Sequence, residues 1–360
     1  MIKIVTILGA RPQFIKAGSV SREVLRHENV KEIIIHTGQH FDTNMSDVFF
    51  QEMKIPKPKY NLNINGLGHG AMTGQMLEGI EEILIKEEPD WVLVYGDTNS
   101  TLAGALAASK LHIKIAHIEA GLRSFNMKMP EEVNRILTDR ISNLLFCPTQ
   151  TAVDNLKNEG YGYFDATIIK NGDVMQDGAI FYTDLAQNPV PGIKNGFVLS
   201  TIHRAENTNE VQRLREILTA LNTIAENKQV VLPLHPRTAS LLPSDLILHP
   251  NILVIQPVGY LQMVWLIKNA SLIMTDSGGL QKEAFFFKKP CITLRDETEW
   301  VELLEHNFNV LVGADRSNII DVYENHIFNT DYDIDLYGNG KASQEIIATL
   351  LTYEEKASRQ

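Results

Sequence analysis

Cysteine is scarce in this chain: 360 residues hold two, Cys147 and Cys291. Each sits in an apolar run, Leu144 to Cys147 and Cys291 to Leu294, which excludes a disulfide framework and leaves buried, reduced thiols as the expectation. Long hydrophobic runs are missing too. None approaches the roughly 18 residues that cross a membrane, so no membrane insertion is expected. Met1 to Leu8 is followed so soon by Arg11-Pro12 that a signal peptide does not fit, and a cytoplasmic location is the expectation. Cations are outnumbered, 33 Lys+Arg against 44 Asp+Glu, for a net charge of −11. Such a balance argues against a nucleic-acid or anionic-membrane partner, yet it leaves room for an anionic small substrate in a locally basic pocket. Neither an HExxH pattern nor clustered cysteines are present, so no metal is expected.

What is there is a rhythm. Short β-branched runs alternate with longer amphipathic stretches. Ile2–Leu8, Glu32–Thr37, Trp91–Tyr95, Lys114–Ile118 and Leu144–Cys147 read as strands in the first half. Phe197–Thr201, Val230–Leu234, Ile252–Ile255, Leu272–Thr275 and Cys291–Leu294 follow in the second. Helical patterns such as Phe14–Arg26, Met72–Lys86 and Ser100–Lys110 lie between them. Near-continuous apolar strands separated by helices indicate parallel sheets covered on both faces. At about 150 residues per domain the length suits two domains. The spacing therefore predicts an α/β protein of two doubly wound domains with an interdomain cleft. The boundary is expected at the Gly- and Pro-marked stretch from Asn171 to Gly192, with an amphipathic helix at Ala342–Tyr353.

Six strand exits and one helix start carry candidate chemistry. Gly9-Ala10-Arg11-Pro12 with Lys16 places backbone N–H groups and two cations where open α/β sheets bind ligands. Gly96-Asp97-Thr98 ends an apolar run; locally Asp97 suits helix capping as well as catalysis. In His117-Ile118-Glu119-Ala120-Gly121-Leu122-Arg123 a glutamate inside an apolar run is costly to bury unless paired or functional, and strand alternation puts His117 and Glu119 on one face. A structural His–Glu–Arg network is the other reading of that run. Pro130-Glu131-Glu132-Val133-Asn134-Arg135 opens a helix, where Glu131 suits a pair with Arg135 at i,i+4. His203-Arg204 and His235-Pro236-Arg237 each follow a strand and suit a diphosphate. Asp276-Ser277-Gly278-Gly279 feeds a helix as a phosphate-receiving turn, and Glu283 within that helix could accept from ribose hydroxyls. Gly66-Leu67-Gly68-His69-Gly70-Ala71 satisfies a dinucleotide pattern, but no apolar strand precedes it, so it reads as a mobile loop.

In this order, the motifs Gly9-Ala10-Arg11-Pro12, Gly96-Asp97-Thr98, His117 to Arg123, Pro130 to Arg135 and Asp276 to Gly279 resemble the non-hydrolysing UDP-N-acetylglucosamine 2-epimerases nearly end to end. The resemblance implies the GT-B architecture: a Rossmann-like domain over residues 1–170 plus a returning helix at about 342–360, and a UDP-binding Rossmann-like domain over 171–341. It implies a homodimer acting on a UDP-sugar substrate without a cofactor. It makes Asp97, Glu119, Glu131 and His203 the catalytic residues. Arg11, Lys16, Arg123, Arg135, His235, Ser277, Gly278, Gly279 and Glu283 become substrate contacts. C2 loses its proton while the C1–O bond to UDP breaks, and UDP then re-adds to a 2-acetamidoglycal. Two departures stand out: Gln13 where the family usually has glutamate, and Trp300 where it usually has arginine. These resemble the branch acting on UDP-2,3-diacetamido-2,3-dideoxy-D-glucuronate. The rival readings are epimerisation of UDP-N-acetylglucosamine to UDP-N-acetylmannosamine, a GT-B glycosyltransferase, a hydrolysing epimerase and, last, a non-catalytic UDP-sugar sensor.

Overall fold

The structure, a computed structural model, describes residues 1–39, 47–234 and 236–357. The chain forms two compact units, Met1–Gly178 with Asp335–Gln360, and Ala179–Ile334. The first holds β1 (Ile2–Leu8), β2 (Val30–His36), β3 (Tyr60–Asn61), β4 (Trp91–Tyr95), β5 (Lys114–Ile118), β6 (Leu144–Cys147) and β7 (Thr167–Lys170). They form one parallel sheet in the order β3-β2-β1-β4-β5-β6-β7. The second unit holds β8 (Val198–Thr201), β9 (Val230–Pro233), β10 (Ile252–Ile255), β11 (Leu272–Thr275), β12 (Cys291–Thr293) and β13 (Asn309–Leu311). Their order is β10-β9-β8-β11-β12-β13, again parallel throughout.

Each sheet is buried because its strands supply apolar side chains alternately to two helical layers. In the second unit Val230 and Leu232 pack with Leu214, Leu218 and Leu221 on one face. Val231 packs with Leu266, Ile267 and Ala284 on the other. In the first unit Val5, Ile7, Val92 and Val94 meet Met76, Ile80, Ala103 and Ala107. Both cysteines are buried, and burial pushes the Cys291 thiol up to about 12. Among the described residues no helix is long and apolar enough to cross a membrane.

The unit boundary falls between Gly178 and Ala179, inside the helix Val174–Thr183 and within the expected stretch Asn171 to Gly192 though beyond residue 170, and the returning segment starts at Asp335 rather than 342. Hydrogen bonds explain both shifts. Asp173 N–H donates to the Tyr337 carbonyl at 2.8 Å, and the Asp177 carboxylate accepts from Ser343 N–H at 2.8 Å and Ala342 N–H at 3.2 Å. The final helix, Ala342–Ala357, is thus anchored to the first unit. Its Tyr353 stacks edge-on against Trp91 at 5.1 Å.

In a sheet of order 3-2-1-4 the chain reverses direction between the first and fourth strands, and the connections leave a crevice at their carboxyl ends. The first unit has its switch point between β1 and β4, the second between β8 and β11. Those four strand exits carry the Gly9, Gly96, His203 and Asp276 motifs.

Candidate active site

At the first switch point the β1 exit is tied to the β4 exit by Gln13. Its Oε1 accepts from Gly9 N–H at 2.8 Å and Ala10 N–H at 3.1 Å. Its Nε2 donates to the Tyr95 carbonyl at 2.7 Å and reaches the Thr98 and Thr101 hydroxyls at 3.1 Å. Gln13 is buried, so this departure from the family pattern is part of the scaffold and does not line a pocket. Gly9 is needed for packing: a β-carbon there would overlap Ser100 Oγ and lie 2.6 Å from Thr37 Oγ1.

The helix Asn99–Lys110 is capped by Thr98, whose hydroxyl accepts from Thr101 N–H at 3.3 Å. Asp97 therefore has no capping role. Its carboxylate instead meets the Arg135 guanidinium. Arg135 also holds Glu132 at 2.6 Å, so the expected Glu131–Arg135 pair is replaced by Asp97–Arg135–Glu132. Glu131 stands exposed at the start of the helix Pro130–Ile141. Glu132 accepts from Ser124 N–H, Ser124 Oγ and Phe125 N–H, each at 2.9 Å. Burial alone would raise its carboxyl, but the Ser124 donors, the Arg135 charge and Phe125 N–H hold it below the ordinary range.

β5 ends at Ile118, so Glu119 lies just beyond it with φ +70°. A left-handed glutamate costs roughly 1–3 kcal/mol and persists only where surrounding contacts over-determine it. Here its carboxylate pairs with Lys16, and Gly96 leaves the room: a β-carbon there would lie 3.2 Å from Glu119 Oε2 and 3.7 Å from Lys16 Nζ. His117 and Glu119 do not act from one face. His117 is fully buried, with Nδ1 2.6 Å from Asp139 Oδ1 and Nε2 2.7 Å from the Gly96 carbonyl. Arg123, expected at the substrate, is spent inside the unit. It forks onto Glu159 at 2.7 and 2.8 Å and meets Asp139 and the Leu122 carbonyl, both at 2.7 Å. Its guanidinium has almost no exposed surface. Arg11 lies half-buried at the start of the helix Arg11–Val24.

At the second switch point Asp276 organises the β8 exit. It is fully buried and accepts from His203 N–H, Arg204 N–H and Asn207 Nδ2 between 3.0 and 3.2 Å. The His203 ring puts Nδ1 2.9 Å from Asp276 Oδ1 and is itself exposed. Burial would raise the Asp276 carboxyl, but the His203 ring and the Arg204 and His203 N–H groups outweigh it and hold it low. With Nδ1 engaged, the outward Nε2 is the nitrogen that can exchange a proton with a ligand. Ser277 caps the helix Gly278–Phe286 through Leu280 N–H at 3.4 Å. Gly279 has open space beside it. Gly278 does not: a β-carbon there would overlap the Glu299 carboxylate, which Arg295 Nη1 holds at 2.9 Å. A diphosphate on this turn requires Glu299 to swing aside, because two anions cannot share the helix N-terminus. Glu283 is buried in the same helix. Trp300 is buried beneath the Lys282 ammonium, 4.0 Å from its ring centroid, so this departure too is internal. His235 lies outside the described residues. Residues 62–68, with Gly66 to Gly68, form a loop between β3 and the helix His69–Glu87, whereas His69, Gly70 and Ala71 belong to the helix. Among the described residues no cluster of three or more His, Cys, Asp or Glu side chains could hold a metal ion.

The family model for UDP-N-acetylglucosamine 2-epimerase matches residues 22–351. The chain belongs to that family. Members similar to this epimerase include the UDP-2,3-diacetamido-2,3-dideoxy-D-glucuronate 2-epimerase of Pseudomonas aeruginosa, 58% identical over 96% of this chain and 98% of that one. The crystal structure of Methanocaldococcus jannaschii UDP-GlcNAc 2-epimerase in complex with UDP-GlcNAc and UDP superposes with a TM-score of 0.83, at 42% identity, over 98% of this chain and all of that one. The Neisseria meningitidis UDP-GlcNAc 2-epimerase bound to UDP-GlcNAc gives 0.85 at 31% identity, over 98% of this chain and 100% of that one. The epimerase is thus an isomerase with the GT-B-like two-domain architecture of this family.

Sequence reasoning passed over Asp276 as a partner of His203, although its place at the end of an apolar run was a signal. Asp139 and Asn134 gave none: both look like ordinary polar positions of an amphipathic helix, and only the packing shows them buried.

Proposed function

We propose that this epimerase inverts C2 of UDP-2,3-diacetamido-2,3-dideoxy-D-glucuronate, giving the manno epimer used in O-antigen or capsule assembly, as a cytoplasmic homodimer. The observation that carries the reading is Glu119: a carboxylate on strained backbone, held against Lys16 next to Gly96-Asp97. Strain of this kind is characteristic of groups that act on a ligand. The 58% identity to the Pseudomonas aeruginosa enzyme supports the choice of sugar.

In this reading Asp97, Glu119 and Glu131 supply the acid and base around C2. One carboxylate takes the C2 proton as the C1–O bond breaks; the electron pair left at C2 forms the C1=C2 bond of the 2-acetamidoglycal, and UDP departs with the C1 oxygen. Re-addition of UDP, with a proton delivered to the opposite face of C2, completes inversion and restores the atom balance. Lys16 and Arg135 hold their partner carboxylates in place. Arg11 faces the substrate, and Ser277, Gly278 and Gly279 receive the diphosphate once Glu299 has moved, with Glu283 on the ribose. His203, oriented by Asp276, assists the leaving UDP through Nε2.

The test is incubation with the diacetamido uronate and with UDP-N-acetylglucosamine in deuterated water. Deuterium should enter C2 of the uronate derivative without an acceptor, with the UDP-sugar intact. Exchange only with UDP-N-acetylglucosamine would reassign the substrate, free sugar would indicate hydrolysis, and no exchange with either would refute epimerisation. Glu119→Gln should lose about 10³-fold in exchange, within the span general acid–base groups contribute, while its circular dichroism and melting curve stay near wild type. Near-normal exchange would return Glu119 to a structural role.

A further inference from the structure

Behind the β4 and β5 exits runs a buried string of ionisable side chains that the reaction as proposed does not use. Glu159 is its outer end, with about a third of its side chain exposed. It holds Arg123 by two parallel bonds; Arg123 holds Asp139; Asp139 holds His117; and His117 holds the Gly96 carbonyl. Side-chain exposure falls to between 0 and 1% at Arg123, Asp139 and His117. None of these three can touch a ligand. Buried ionic groups are costly and do not by themselves stabilise a fold, so three in a row call for another explanation.

Where the string ends supplies it. The Gly96 carbonyl belongs to the peptide bond that leads into Asp97, and His117 Nε2 grips it at 2.7 Å. The following peptide is gripped as well: Asn134 Nδ2 donates to the Asp97 carbonyl at 2.9 Å. Both peptide planes flanking Asp97 are therefore fixed by buried side chains, and Arg135 fixes its carboxylate. The same string holds the segment after Glu119. Gly121 N–H donates to Asp139 at 3.2 Å, and Arg123 donates to the Leu122 carbonyl at 2.7 Å.

Hydrogen-bond accounting fixes the protons. The Gly96 carbonyl can only accept, so His117 Nε2 must donate. Asp139 already accepts from the Arg123 guanidinium and from Gly121 N–H. Both bonds fall on Oδ2, and the Arg123 guanidinium beside it favours the ionised carboxylate, so Oδ1 is an acceptor and His117 Nδ1 donates too. We propose that His117, Asp139, Arg123 and Glu159 are positioning residues that set the placement of the Asp97 and Glu119 carboxylates, with a doubly protonated His117 ring clamping the Gly96–Asp97 peptide. This rests on the functional reading above for what the two carboxylates do, but not for the clamp itself.

Two substitutions separate the two ends of the ring. His117→Gln carries an amide N–H to about the position of Nε2 and can still reach the Gly96 carbonyl. His117→Asn places its N–H near the position of Nδ1, keeps Asp139 company and releases Gly96. A misplacement of about 1 Å at a reacting group costs on the order of 10²-fold. His117→Asn should accordingly lose about 30- to 100-fold in kcat for C2 deuterium exchange, with KM for the UDP-sugar changed less than about threefold, and His117→Gln should recover at least about tenfold of that loss. Equal loss of turnover in both variants, alongside equal loss of thermal stability, would overturn the proposal. So would a His117→Asn enzyme with wild-type turnover.

A second readout does not depend on activity. In 15N-histidine-labelled wild-type protein the His117 ring should show protons on both nitrogens, protected from exchange; a singly protonated ring would overturn the clamp. If the wild type exchanged neither substrate, the epimerase reading would fall, and this spectrum would still decide the clamp. Should the His117 variants not fold, Glu159→Gln at the solvent end carries the test. Turnover should fall about threefold with KM held, and unchanged turnover would overturn the string.

Discussion

Replacing Gln13 by glutamate would restore the residue usual in this family and test how the first switch point is held together. The amide makes five contacts in two opposed sets. Oε1 accepts from two N–H groups, and Nε2 donates to the Tyr95 carbonyl at 2.7 Å. A protonated glutamic acid reproduces this, since its O–H can replace the amide N–H. An ionised one cannot, because a carboxylate oxygen would face a carbonyl oxygen in a buried site. The folded carboxyl therefore keeps its proton well above the unfolded value of about 4.3, and the unfolded chain releases its proton first. Stability consequently falls as pH rises. The deficit should be near zero at pH 4, about 1 kcal/mol at pH 5, and between about 3 and 4 kcal/mol at pH 7, at about 1.36 kcal/mol per pH unit. For a unit of this size each kcal/mol corresponds to roughly 2–4 °C. Melting curves of Q13E and wild type from pH 4 to 7.5 should diverge steadily. Parallel curves, with one offset at every pH, would show that the carboxylate ionises in place and that the Tyr95 carbonyl contact does not govern this site.

Asp276→Asn should leave His203 able to adopt the wrong tautomer and lower turnover by roughly 10²- to 10⁴-fold, as in other histidine–aspartate pairs, with substrate affinity less affected; initial-rate kinetics would show it. Glu132 is held low in the fold, so its contribution is complete above about pH 4.3 and fades as pH falls through its depressed folded value. Glu132→Gln should cost about 1–3 kcal/mol at pH 7 and progressively less as pH falls below about 4.3. A pH-independent difference in melting temperature would refute the assignment. Gly9→Ala drives a methyl group into Ser100 Oγ and should cost about 1–3 kcal/mol, with Gly9→Ala/Ser100→Ala recovering part of it in thermal melts.

The composition and periodicity carried the architecture. Central strands such as Trp91–Tyr95 are buried on both faces, and that burial is written into the chain as unbroken apolar runs. The strands that escaped notice are β3, β7 and β13, all at sheet edges. They have two to four residues with at least one side partly open to solvent, so they lack an apolar run to read. Strand exits likewise marked the candidate residues, because glycine, aspartate and histidine directly after an apolar run are visible without coordinates.

The partners of those residues were not legible. Local spacing offered Arg135 to Glu131, a cap to Asp97 and one face to His117 and Glu119; each is a contact a short segment can make alone. Packing chose otherwise, because Arg135 reaches a β4 exit 38 residues earlier and His117 reaches a helix 22 residues later. The sequence by itself determined which elements form, in which layers, and which exits bear ionisable groups. Only the tertiary structure decided which groups meet. Apolar burial depends on a residue's own period along the chain, whereas a hydrogen bond between buried side chains depends on two distant segments arriving together. That is why Arg123 is spent on Glu159 and Asp139, and Asp276 turns out to hold His203.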